Sequence, residues 1–146
     1  MFRWLAVLLV MMCLATTTGC DFLNPDVATV SDVETFIGVD FPADATDLHF
    51  EVGGFQDAIV WLRFDTTPES RSAYVAALGF DEPLTEVNRP SMDSASSETL
   101  PWWNVEEVEP GMGGSYDNFN ANLHFQILVD PIDSTHERVY LIVFNT

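Results

Sequence analysis

The chain contains no lysine. Apart from three histidines, its basic residues are five arginines. The chain has 23 aspartates and glutamates, so its formal net charge is −18 at pH 7. A field of this sign repels nucleic acids and anionic lipids, so it argues against a DNA- or RNA-binding role and favours cationic partners. Genome composition and a salty habitat are alternative origins of the same balance. The apolar content of 47% predicts a folded domain rather than a disordered acidic tail.

Cysteine is almost absent as well, with Cys13 and Cys20 as its two occurrences. Cys13 lies in an apolar run, residues 4–15, that follows a short positive start and is too short to span a bilayer. Small residues come next, as they do in a secretory signal. The sequence therefore predicts a signal peptide over residues 1–19 and a mature chain without an intramolecular disulfide. An uncleaved N-terminal helix and a signal peptide cut elsewhere are the alternatives.

The residues around the second cysteine, Thr17-Thr18-Gly19-Cys20, resemble the lipobox of bacterial lipoproteins. The resemblance implies that the Cys20 sulfur receives a diacylglycerol, that the chain is cut before Cys20, and that the new amine is acylated. Thr17 stands where the family usually has leucine or another aliphatic residue. The implied location is the cell envelope, membrane-anchored and extracytoplasmic. Residues 20–30 would form a membrane-proximal tether and residues 31–146 a single domain.

Two segments carry helix-start signals. Ser31, followed three residues later by Glu34, has the pattern of a capping box and predicts a helix that ends near Gly38. Residues 67–69, Thr-Pro-Glu, combine an N-cap, a first-turn proline and an acid at the positive end of the helix dipole. They predict a second helix that ends at Gly79 and buries Tyr74, Val75 and Leu78.

Four segments have the apolar content of strands: residues 47–52, 58–64, 122–129 and 138–144. The first two and the last two are expected to form antiparallel hairpins. The fold class is therefore α+β, a single antiparallel sheet of four or five strands with one or two helices on one face. The other face is expected to be wet or partly covered. Residues predicted to share the buried layer are Leu48, Phe50, Val60, Leu62, Leu123, Phe125 and Ile127.

Residues 80–121 have no clear periodicity. They contain four of the eight prolines, a serine-rich stretch and the glycine-rich segment 111–114, which is interpreted as a turn. We expect long loops here with one short helix or strand. Trp102 and Trp103 are adjacent, so an extended chain would direct them to opposite sides. One is predicted to lie in the core. For the other, packing of the long loop onto the domain is the favoured interpretation, and an exposed anchor for a partner is the alternative.

The polar sides of the predicted strands hold the candidate site. Asp47, His49 and Glu51 alternate along the first strand, and Asn122, His124 and Gln126 along the third. If the strands are neighbours, these residues share one face with Ile59, Trp61 and Arg63. The tentative binding surface consists of His49, Trp61, Arg63, Trp103 and His124. A metal site on the same face, a solvated face and a face hidden by the long loop are the alternatives.

No catalytic, cofactor-binding or metal-binding motif is found in the sequence. The G-x-S-x-G and H-E-x-x-H patterns are missing, and residues 111–115 lack the lysine of a phosphate loop. Residues 42–43, 57, 63–64, 67–69 and 139–141 together resemble uncharacterised bacterial lipoprotein domains, a resemblance that implies no activity. The sequence favours a lipid-anchored extracytoplasmic binding or interaction domain. The alternatives are an envelope-associated hydrolase that uses His49 or His124, and an inhibitor of a basic enzyme.

Overall fold

The computed structural model describes residues 28–54, 57–86, 90, 92 and 99–145. The predicted signal peptide, Cys20 and most of the tether lie outside the described residues. The described part forms a five-stranded antiparallel sheet with two α-helices, which confirms the α+β fold class. None of the helices in these ranges has the length and apolar composition that crossing a lipid bilayer requires.

The strands follow the order β1-β2-β5-β4-β3 across the sheet. Helix α1 precedes the first hairpin, helix α2 follows it, and a short 3₁₀ helix precedes the second half of the sheet. Strand β5 is central and pairs with β2 on one side and with β4 on the other, whereas the pairing of β1 with β2 has an irregularity between Thr46 and His49. The bounds are α1 Val30–Ile37, β1 Thr46–Gly53, β2 Ile59–Thr66, α2 Pro68–Ala77, the 3₁₀ helix Val105–Glu107, β3 Met112–Asn118, β4 Leu123–Pro131 and β5 Glu137–Asn145.

Helix α1 begins two residues earlier than its sequence signal indicates. Its N-cap is Thr29, whose side chain accepts from the Asp32 backbone while the Asp32 carboxylate accepts from the Thr29 backbone N–H at 2.8 Å. The predicted box of Ser31 and Glu34 is therefore wrong. Both boxes obey the same spacing rule, and Glu34 instead accepts a hydrogen bond from the Phe41 backbone. The predicted end of the helix at Gly38 is confirmed, because Gly38 is the C-cap with φ +81°.

Helix α2 is confirmed from its sequence signals. Thr67 is the N-cap and accepts from the Ser70 backbone, Pro68 is the first helical residue, and Gly79 follows the helix with φ +95°. A second support comes from the loop before β1, where Asp44 accepts hydrogen bonds from the Thr67 and Thr66 side chains at 2.9 Å. Hydrogen bonds from the side chains of Ser70, Thr67 and Thr66 hold the pKa of Asp44 well below its usual range.

The first core lies between the helices and one face of the sheet. All of the residues predicted for the buried layer belong to it or pack against it, as do Tyr74, Val75 and Leu78 of the α2 stripe. Successive side chains of β2 alternate between the two faces of the sheet. Val60, Leu62 and Phe64 lie on the helix side, and Trp61 and Arg63 lie on the other side. Its fully buried members include Val33, Val60, Leu62, Phe64, Phe125, Ile127, Val129, Val139, Leu141 and Val143.

A second core covers the middle of the opposite face. The segment that contains the 3₁₀ helix packs onto it, with Trp103 at 0% exposure in the centre. Of the alternatives for this face, the partly covered one matches the structure. The buried members of this second core are Met92, Leu100, Trp103, Val105, Val108, Leu128, Tyr140 and Ile142.

Strand β3 was not expected in its place. The segment 111–114, predicted as a turn, enters β3 at Met112, and Gly113 and Gly114 pair with Leu128 and Ile127 of β4. The turn prediction is therefore wrong. A side-chain Cβ at Gly114 would lie 3.2 Å from Leu84 and 3.5 Å from Phe80, so glycine lets these two side chains pack against the strand backbone.

Candidate functional site

Four of the five residues predicted for the binding surface lie on the second face of the sheet. His49, Trp61 and Arg63 belong to β1 and β2, where they are cross-strand neighbours, and His124 belongs to β4. Trp103 does not lie on a surface, because its side chain is completely buried in the second core. Its neighbour Trp102 is the half-exposed member of the pair.

Trp102 forms a stacked pair with His49. Their ring centroids are 5.6 Å apart with an interplanar angle of 19°. Trp102 rests edge-on against Trp103, which in turn meets Tyr140 edge-on, and the Tyr140 hydroxyl donates to Asn104 Oδ1 at 2.7 Å. Edge-to-face and offset aromatic pairs are the favoured geometries for such rings. The half-exposed stack is therefore built on a rigid, buried aromatic support.

Arg63 connects this aromatic segment to the sheet. Its Nη1 donates to the Trp102 carbonyl oxygen and its Nη2 to Asp47 Oδ2, both at 2.6 Å. The residue is 8% exposed. Because both terminal nitrogens are engaged and the group is buried, Arg63 acts as a structural clamp that positions Trp102 rather than as a free cation.

Asp47 is the centre of a charge network. It has φ +49°, at an irregularity in the pairing of β1, and its carboxylate meets His49 Nε2 at 2.9 Å as well as Arg63 and Arg138. The hydrogen bond with His49 and the two guanidinium groups lower the pKa of Asp47. The carboxylate therefore stays ionised and fixes the orientation of the histidine under the Trp102 ring.

The network continues to the end of the sheet. Arg138 donates from Nε and Nη2 to both carboxylate oxygens of Asp65 at 2.7 and 2.8 Å. These bonds raise the pKa of Arg138, whereas partial burial raises the pKa of nearby Asp130. The described part of the chain contains one further arginine, Arg71, which is paired with Glu137 at 2.7 Å. Each described arginine is thus committed to a carboxylate of the same chain.

Trp61 lies beside this network and directly against β1. A Cβ at Gly53 would lie 2.8 Å from Trp61 Cζ3, so the indole occupies the space above the Gly53 backbone. Trp61 is half-exposed, and its cross-strand neighbour Glu51 is exposed. We refer to Asp47, His49, Glu51, Trp61 and Trp102 together as the β1 surface.

His124 belongs to a separate arrangement. Its Nδ1 lies 2.6 Å from Asp117 Oδ1 on β3, and its ring meets Phe144 with centroids 4.8 Å apart. Strands β2 and β5 separate it from His49, which amounts to about three strand spacings of 4.8 Å. The two histidines therefore do not form one site. Within the described ranges, no three His, Cys, Asp or Glu side chains come together in a group that could hold a metal ion.

Comparison with protein-family models, with curated proteins and with solved structures finds no match to this chain. Sequence reasoning identified His49, Trp61 and Arg63 through strand alternation, but it gave no role to Asp47 as the centre of the network. The positive φ of Asp47 had no recognisable sequence signal, since aspartate is one of several residues that adopt this conformation.

Proposed function

We propose that this protein is a lipid-anchored extracytoplasmic binding domain that presents the β1 surface to a partner. The observation that carries the proposal is the half-exposed stack of His49 and Trp102, held in place by the buried Arg63 clamp. Preorganised aromatic side chains next to charged groups are typical of binding sites, because little conformational freedom is lost when a ligand arrives. Anchoring through Cys20 rests on the lipobox-like sequence.

An envelope-associated hydrolase is the second candidate function. The His49–Asp47 and His124–Asp117 pairs each have the geometry in which a carboxylate orients a general base. Catalysis by either pair also needs a nucleophile or a positioned water on the free ring nitrogen. Among the described residues, each of these two histidines has its carboxylate as hydrogen-bond partner and no hydroxyl or thiol. This arrangement favours binding over catalysis.

The anchor is tested by expressing the full-length chain in a lipoprotein-processing bacterium. We expect Cys20→Ala to leave an unprocessed precursor without diacylglycerol, because the thioether forms on the cysteine sulfur. Cys13→Ala is the matched control, since the predicted signal peptide contains this cysteine, and it should leave the mature protein and its membrane fraction unchanged. Intact-mass measurement and membrane fractionation give the result. A soluble wild-type product with a free Cys20 thiol would contradict the anchor.

A further inference from the structure

Among the described strands, β1 forms one edge of the sheet and has no neighbour on its outer side. The register identifies which groups point outward. The Asn145 backbone N–H donates to the Ala58 carbonyl oxygen at 3.4 Å, so Ala58 bonds toward β5. Backbone groups of successive residues point alternately to the two sides of an antiparallel strand. By this alternation Trp61 and its partner Glu51 bond to each other, and the N–H and C=O of Phe50 point away from the sheet.

The other edge of the sheet behaves differently. The same alternation points Gly113 of β3 outward, and there it exchanges two backbone hydrogen bonds with Thr85, at 3.2 and 3.3 Å. Phe50 has no such partner among the described backbone hydrogen bonds. The accessible stretch is the first part of β1, since residues 46–51 are exposed or half-exposed throughout, whereas Val52 is 5% exposed.

Proteins usually protect such an edge with lysine, with proline or with a bulge. The irregularity at Asp47 protects the beginning of β1. Residues 48–51, Leu-His-Phe-Glu, contain neither proline nor lysine. Glu51 is the charged side chain of this stretch. An edge without lysine or proline is open to an extended peptide that adds a further strand, with main-chain bonds for affinity and alternate side chains for specificity.

Charge decides the kind of strand that fits. Asp47 and Glu51 flank the edge on the β1 surface, and each described arginine is already paired within the chain. On the opposite side of β1, Leu48 and Phe50 are half-buried apolar side chains. A second copy of this chain would have the same acidic edge and the same net charge of −18, so the two copies repel each other.

We infer that the β1 edge binds an extended basic segment of a partner protein by strand addition. The inference rests on the proposed binding function and specifies its partner class. The added strand places its lysine or arginine side chains beside Glu51 and the His49–Trp102 stack, where an aromatic face and a carboxylate both attract a cation. Its alternate apolar side chains pack beside Leu48 and Phe50.

The test uses an octapeptide of alternating lysine and valine with blocked ends, titrated into the full-length protein at low ionic strength. The peptide is expected to add antiparallel to β1, where directly opposite residues share a face, so valine lies opposite Phe50 and the valine N–H groups point at β1. N-methylation of the valines should weaken binding roughly tenfold or more, because it removes those donors. N-methylation of the lysines is the matched control and should change the affinity by less than about twofold. A glutamate–valine octapeptide should not bind.

Variants of the protein provide a second test of strand addition. Phe50→Pro removes the outward N–H, and Phe50→Ala removes the same side chain but keeps that N–H. Binding should be lost in Phe50→Pro and kept in Phe50→Ala, while circular dichroism reports whether each variant is folded. Ser115→Pro places a proline outward on the β3 edge and should leave binding unchanged.

The outcomes separate the inference from the proposed function. If Trp102→Ala weakens binding but N-methylation of the valines does not, the β1 surface binds and strand addition is overturned. If the peptide binds and neither Trp102→Ala nor Phe50→Pro affects it, both are overturned. If the peptide does not bind, the basic-strand inference alone is overturned. The same holds if sedimentation at low ionic strength shows that the protein self-associates and that Phe50→Pro prevents this association.

Discussion

Trp103 and Phe125 are buried in the two cores that lie on opposite faces of the sheet. Trp103 is 0% exposed in the second core, and Phe125 is 1% exposed in the first. Phe125 could be predicted as buried from the alternation of β4. The burial of Trp103 could not, because adjacent tryptophans in a segment without periodicity give no indication of which ring points inward. For the same reason, the predicted surface contained Trp103, whereas Trp102 is the tryptophan that is half-exposed there.

We predict that Trp103→Ala and Phe125→Ala each lower the free energy of unfolding by about 3–5 kcal/mol, because both remove a large side chain from a closed core. Denaturant unfolding of the purified protein measures the change. Phe119→Ala, at a position 83% exposed, is the control and should fall within about 0.5 kcal/mol of the wild type. A loss at Trp103 as small as that of Phe119→Ala would show that the second core contributes little.

At the scale of elements, most of the fold could be predicted from periodicity. Strands β1 and β4 alternate between apolar and polar residues, and helix α2 has a start signal and a glycine after its end. Strand β3 could not be predicted, because Gly113 and Gly114 have no side chains to show a period. The near-continuous apolar runs of β2 and β5 were the available signal for a sheet covered on both sides.

The start of α1 offers a direct comparison of two candidate caps. Thr29→Ala removes the capping side chain and should lower the free energy of unfolding by about 0.5–2 kcal/mol. The helix is coupled to the rest of the fold through Val33 and Ile37, which are buried in the first core. Ser31→Ala should change the stability by no more than about 0.5 kcal/mol, since the described contact of Ser31 is made by its backbone oxygen with Thr35. Thermal or urea unfolding separates the two outcomes, and a larger loss at Ser31 would restore the predicted box.

At the scale of the whole molecule, charge is the dominant property. The described arginines are paired with carboxylates, and many exposed acids have no cationic partner among the described side chains. Self-repulsion among such acids destabilises the compact state, and dissolved salt screens it. The excess of acids also affects the candidate site. Arg63 and Arg138, the two arginines on its face of the sheet, are both paired with Asp47 and stabilise the site itself.

We predict that added sodium chloride raises the midpoint of thermal unfolding at pH 7, since screening relieves the repulsion in the folded state more than in the expanded chain. Scanning calorimetry at increasing salt measures the effect. The control is the same series near pH 4.1, the isoelectric point of the sequence, where the net charge vanishes and the dependence should be lost. A midpoint at pH 7 that falls with salt would mean that the ion pairs of Arg63, Arg71 and Arg138 outweigh the repulsion.

The position of β5 has a consequence for the order in which the fold is assembled. Strand β5 follows every other strand along the chain, yet it lies in the middle of the sheet between β2 and β4. Until β5 is present, the sheet consists of two separate hairpins, β1-β2 and β3-β4, and neither core is closed. A chain that emerges N-terminus first, from a ribosome or through a translocation pore, therefore stays open and threadable until residues 137–145 have emerged. Late closure is compatible with the proposed export, in which the chain crosses a membrane before it folds.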